Sequence, residues 1–127
     1  MTTTCTRQLY VDRVIRNYLR LPGTTLRASR RDRYLAAHLY DRGIPIHIVW
    51  AALAMVAARW ALRSPQQLPL PPIRTLYYFL PAIDEAFSAL PEPGYIQYLA
   101  AKLRPFVREK EARLSTAGQN TAIPGGR

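Results

Sequence analysis

Residues 46–63 read IHIVWAALAMVAARWALR. On a helix, Ile48, Val49, Trp50, Leu53, Met55, Val56, Trp60 and Leu62 spread over nearly every face, with alanines between them. A helix that is apolar all round lies either in a core or in a membrane. The run free of strong charge, residues 43–58, is 16 residues long and contains Pro45 and His47. A membrane span needs about 20 apolar residues. The stretch therefore reads as the central core helix of a bundle, with Trp50, Leu53, Val56 and Trp60 mostly buried. The alanines let neighbouring helices approach closely.

Upstream, Ser29 followed by Asp32 three residues later resembles a capping box and predicts a helix start. Tyr34/His38 and Leu35/Leu39 are its expected apolar rows. Gly43 suits the left-handed position just past a helix end, and Pro45 suits the first turn of the next helix. Before that, Tyr10, Val14 and Tyr18 are spaced by four, as are Val11, Ile15 and Leu19. They predict a first helix over about residues 7–21, stopped by Pro22-Gly23. This Arg-rich segment is weighed as a mitochondrial presequence, but Asp12 and the lack of serine count against that. No uninterrupted apolar stretch of secretory type is evident.

Downstream, SPQQLPLPP at residues 64–72 reads as a stiff, proline-rich linker within one domain. Ile73, Leu76, Tyr77, Leu80 and Ile83 return to helical spacing. Pro81 either kinks that helix or opens a second one after a short first. A turn at residues 91–94 precedes a last helix from about Tyr95. Its apolar face is Ile96, Leu99, Leu103, Phe106 and Val107, and Pro105 suggests a kink. From Ser115 the chain is small and polar and reads as a disordered tail. No segment alternates with period two. The expected fold is a compact all-α bundle of about five helices around the fully apolar central helix, with one domain over residues 1–114 and a tail over 115–127.

Composition narrows the function. The 127 residues carry 18 Lys+Arg against 8 Asp+Glu, a net charge of +10. Sixteen of the cations are arginine, a bias that genomic base composition alone could produce. Residues 1–42 have a net charge of +6, residues 43–98 of 0, and residues 99–127 of +4. Two basic ends thus flank a neutral apolar middle, and such a field draws polyanions. One cysteine allows no internal disulfide, and two histidines with one cysteine cannot build a four-ligand Cys/His zinc site.

Catalytic patterns are weak. There is no GxxxxGK[ST], GxGxxG or GxSxG. Asp84 and Glu85 are adjacent and diverge on a helix. His38 and His47 read as core-edge histidines, and Cys5 has no base near it in sequence. The expectation is a protein without enzymatic activity, cofactor or metal. Residues 35–53 superficially resemble a helix–turn–helix. A recognition helix must offer polar side chains to bases, and the third helix offers His47 and then almost nothing polar until Arg59. That motif is rejected.

Arg27, Arg30, Arg31 and Arg33 surround the start of the second helix, beside Thr24, Thr25 and Ser29. Helix N-termini bind phosphate readily, so this cluster is the first candidate for backbone contacts, with Tyr34 beside a sugar or base. The bland alternative is that Arg30 and Arg33 pair with Asp32 and Asp12 on the surface. Arg16 and Arg20 of the first helix add to the candidate surface. Lys102, Arg104, Arg108 and Lys110 of the last helix do so as well, with Arg113 beyond them.

The order RRDRYLAAHLYDRGIPIHIVWAAL, a loop, and PIRTLYYFLPAIDEAF resembles the layout of DnaD-type helical replication modules of bacteria, phages and mobile elements. The similarity covers residues 30–87 and is carried by Ile73, Leu76, Tyr78, Phe79 and Ile83. It departs at Pro81 and at the long linker, and no functional residue carries over by position. It implies a DNA-binding accessory of replication. The leading expectation is thus a cytoplasmic protein that binds nucleic acid, DNA ahead of RNA, through phosphate contacts. The rivals are a small helical subunit of a larger assembly (such as a CRISPR effector complex) and an adaptor for an acidic protein. A peripheral membrane protein using Trp50 and Trp60 is a distant third.

Overall fold

The computed structural model describes residues 2–63 and 72–122, with side chains over 6–63 and 72–116. Within them lie α1 (Thr2–Leu19), α2 (Arg30–Asp41), α3 (Ile46–Ala61), a 3-10 turn (Leu76–Phe79), α4 (Leu80–Ser88) and α5 (Pro93–Ala122). Among the described residues there is no strand. One isolated parallel bridge ties Thr24 to Ile73, where the Ile73 amide donates to the Gly23 carbonyl at 2.6 Å. The expected linker at residues 64–72 falls outside the described residues except for Pro72.

The punctuation is legible in the sequence. Ser29 is the N-cap of α2, and the Ser29–Asp32 capping box closes in both directions. Gly43 lies just past the helix at φ +77°. Pro45 is the N-cap of α3, one position ahead of the first turn. Pro81 sits in the first turn of α4, after the 3-10 turn, so it opens a helix rather than kinking one. α5 runs through Pro105 without a break and reaches Ala122, seven residues past Ser115. Ser115 and Thr116 are helix-compatible, and the Thr116 hydroxyl donates back to the Ala112 carbonyl at 3.0 Å. Residues 123–127 lie outside the described residues.

α1 and α2 form an antiparallel hairpin. Val11, Val14, Ile15 and Tyr18 of α1 meet Leu35, Ala36 and Leu39 of α2 in the buried core. Ion pairs Arg7–Asp41 (2.9 Å) and Arg33–Asp12 (2.6 Å) border it, and Tyr10 packs edge-on against Tyr40. The buried row of α2 is Asp32, Leu35, Ala36 and Leu39, at spacings of three, four and seven. This corrects the pairing of Tyr34 with His38 as an apolar row: Tyr34 is 70% exposed and His38 faces solvent.

α3 is central, packing against α1, α4, α5 and the 3-10 turn. Its alanines at 51, 52, 54, 57 and 58 are all buried, as are Ile48, Val49 and Leu53. Trp50, Val56 and Trp60 are mostly buried and pack against that core, as expected, but each keeps part of its surface exposed. Close approach against the small alanines buries that side, and the bulky indoles are left to cover its edges.

Gly23, at φ +85°, ends the stretch after α1, and the Trp60 ring lies against it. A Cβ at Gly23 would stand 2.7 Å from Cδ2 of that ring, whereas one at Gly43 would meet nothing within 4 Å. Gly43→Ala is therefore expected to cost about 1–2 kcal/mol, the backbone strain alone. Gly23→Ala adds displacement of Trp60 to the same strain and should cost clearly more. Urea denaturation of the two variants checks the order, and equal losses would mean that Trp60 does not rest on Gly23.

Candidate functional site

The two basic ends of the chain meet. The hinge of that meeting is Lys110, 4% exposed on the core side of α5. Its ammonium lies among four acceptors that share its three N–H groups: the carbonyls of Leu19 (2.7 Å), Leu21 (3.0 Å) and Thr25 (3.1 Å) and the Thr24 hydroxyl (2.6 Å). These acceptors lie at and just beyond the C-terminus of α1, where last-turn carbonyls lack helical partners and the helix dipole favours a cation. Lys110 thus caps α1 from 85 to 91 residues away. Burial, with a smaller contribution from Arg113, pushes its amine down to about 8. This corrects the placement of Lys110 among the surface contacts, since its N–H groups are committed to the fold.

Docking α5 onto the end of α1 sets Arg104 and Arg108 beside Arg20. The three line an open cleft of about 280 Å³ together with Trp50, Ala100, Val107 and Glu111. Arg104, Val107, Arg108 and Glu111 follow helical spacings of three, four and seven, which puts them on one stripe of α5. Arg20 reaches Glu111 at 2.7 Å, with both side chains partly exposed. Three guanidiniums against one carboxylate leave a net charge of +2. Arg104 and Arg108 have no acidic partner among the described residues. Arg16 lies on α1, four residues before Arg20, and is exposed; it makes no ion pair among the described residues, although its charge helps to hold the Asp12 carboxyl down. Lys102 is exposed on α5, with its ammonium 5.6 Å from the centre of the Tyr98 ring.

The cluster at the start of α2 has a different character. Arg33 is held by Asp12, as the bland alternative expected, and Arg31 lies over the Tyr77 ring at 5.7 Å. Asp32 does not pair with Arg30. It is fully buried and accepts from the Ser29 amide, the Thr75 hydroxyl and the Leu76 amide, each at 2.9 Å. That carboxylate fastens the start of α2 to the 3-10 turn. Arg27 and Arg30 are exposed without an acidic partner among the described residues. None of these four arginines lines the cleft of Arg20, Arg104 and Arg108.

His38 and His47 are exposed, on α2 and at the start of α3. The Arg33 and Arg7 guanidiniums hold the Asp12 and Asp41 carboxyls, respectively, below the usual carboxylate range. Among the described residues no helix is long and apolar enough to cross a membrane.

Sequence reasoning passed over two residues here. Trp50 was placed in the core, yet it forms a wall of the basic cleft. Lys110 was placed on the surface, yet Leu99, Leu103, Phe106 and Lys110 follow one another at spacings of four, three and four. That row marks the core side of α5 and could have revealed it. Fold and cleft together define an all-α helical bundle with a cationic cleft where its two charged ends join. Comparison with protein-family models, with curated proteins and with solved structures returned no match.

Proposed function

We propose that this chain is a non-enzymatic nucleic-acid-binding protein that holds phosphates in the cleft of Arg20, Arg104 and Arg108. One observation carries the reading. Cations from opposite ends of the sequence converge on one concave surface, two of them without acidic partners, beside an aromatic side chain. Guanidiniums suit phosphate because their planar N–H fork matches two phosphate oxygens. Arg16 extends the surface along α1, Lys102 along α5, and exposed Arg27 and Arg30 supply a flank. The DNA-binding replication accessory implied by the resemblance over residues 30–87 is the setting in which this chemistry is proposed to act.

Phosphate contacts release counterions, so log affinity should fall linearly with log salt. With about three or four phosphates held, the slope should lie near −2 to −4 by that arithmetic. Fluorescence anisotropy with a labelled oligonucleotide between low and moderate salt measures it. No affinity at low salt defeats the proposal.

A specific observation favours a second reading, the subunit of a larger assembly. Phe87, Leu90, Tyr95 and Tyr98 are exposed within twelve residues of chain, Leu90 at 69%. Exposed apolar side chains that form a contiguous patch mark protein contacts, and these four are close in sequence. Failure to bind nucleic acid would make this reading, with an acidic partner, the one to pursue.

A further inference from the structure

We infer that the partner is single-stranded nucleic acid, with an unpaired base stacked on Trp50. The inference rests on the proposed phosphate cleft and names the kind of strand it takes. Trp50 is partly exposed and is shared by two adjoining hollows. One is the cleft of Arg20, Arg104 and Arg108. The other is an apolar recess of about 240 Å³, lined by Ile48, Pro91, Pro93 and Ile96, with His47 and Gln97 as its polar groups. A surface on which one indole is shared by a guanidinium-lined cleft and an apolar recess matches a nucleotide, which carries a charged phosphate and a flat apolar base.

Such stacking needs a base whose face is free. In a duplex both faces are covered by neighbouring pairs, whereas an unpaired strand can turn a base onto an aromatic ring. Groove reading in duplex DNA calls for polar side chains that project from a helix or ribbon to the base edges. Between its arginines the cleft offers Trp50, Ala100 and Val107 instead. His47 and Gln97 provide hydrogen-bonding groups for the edge of a base in the recess that adjoins the arginine cleft at Trp50.

The test uses the full chain, with a 20-nucleotide oligothymidylate and an RNA of the same length as single strands. A 20-base-pair duplex and inorganic polyphosphate are the comparison probes. The expected result is tighter binding of the single strands than of the duplex at equal salt. Both single strands should quench tryptophan fluorescence, while polyphosphate binds without quenching because it has no base. Trp50→Leu should weaken single-strand binding about 5- to 150-fold, the range for losing one stacked base. Its salt slope should stay unchanged, since the phosphate contacts remain. Duplex bound equally well, or single strands bound without quenching, overturns the inference and leaves the phosphate cleft standing. Absence of binding to every probe removes both. Should Trp50→Leu not fold, the wild-type preference for single strands over duplex decides the matter, since quenching alone does not separate Trp50 from Trp60.

Discussion

Asp32→Ala is expected to destabilise the fold by about 3–5 kcal/mol, far beyond the loss of a helix cap alone, which costs about 1 kcal/mol. The carboxylate accepts three hydrogen bonds, and the Leu76 amide among its donors is in a buried setting. Truncation leaves that amide without its partner and disconnects the 3-10 turn from α2. Asp32→Asn should also destabilise, because its amide nitrogen would face one of the donors. Ser29→Ala, which loses only the hydroxyl half of the cap, should cost about 1 kcal/mol. Urea denaturation of the three variants measures the order. A loss below 1 kcal/mol for Asp32→Ala would mean that the tie to Thr75 and Leu76 contributes nothing.

Asp32 also shows how far local pattern reaches. The pair Ser29 and Asp32 announces a helix start within four residues, and the helix starts there. The other carboxylate oxygen binds residues 43 and 44 positions further on, and no local spacing encodes that contact. The chain reversals at Gly23, four residues past α1, and at Gly43, just past α2, are legible because positive φ selects glycine. On α2 the Leu35/Leu39 row is buried as expected, and only the Tyr34/His38 row is out of place, because a tyrosine looks apolar in sequence while a carboxylate does not. In the fold the carboxylate is inside with all its donors, and Tyr34 is out. For α3 the all-apolar pattern located the centre of the bundle. It could not say which apolar residues stay at the edge, since that depends on which neighbours pack against the alanines. The meeting of the two basic ends was posed by the charge distribution, but it depends on contacts between Lys110 and residues 19–25.

Lys110→Met is expected to cost about 3–5 kcal/mol, because it keeps the stem and leaves several part-buried acceptors without their donor. It should also loosen the segment after α1 against α5, which stays packed on α3, and so shift Arg20 relative to Arg104 and Arg108. Nucleic-acid binding would then weaken although no cleft residue has changed. The same amine predicts a pH dependence. Its folded value, about 8, lies below the ordinary 10.5, so between these values the unfolded chain binds more protons than the folded one. Stability contributed by Lys110 therefore rises with pH across that window. The Tyr10 and Tyr18 hydroxyls, pushed up to about 12 by burial, act in the opposite sense above about pH 10. The melting temperature of the wild type should increase from pH 7.5 to 9.5 and fall beyond 10. In Lys110→Met the increase should vanish. An unchanged increase in that variant would assign it to other groups.

In the proposed function the cleft, and not the overall positive charge, holds the phosphates. Arg104→Gln combined with Arg108→Gln tests it most directly, since both side chains are exposed and neither has an acidic partner among the described residues. The salt dependence of oligonucleotide binding is measured for wild type and double variant, with circular dichroism confirming equal helicity. A cleft that holds phosphates through these two guanidiniums predicts a log–log slope flatter by about 1.4 to 1.8, together with weaker binding at every salt concentration. An unchanged slope in the double variant, alongside a flattened one in Arg27→Gln combined with Arg30→Gln, would contradict it and move the phosphates to the start of α2.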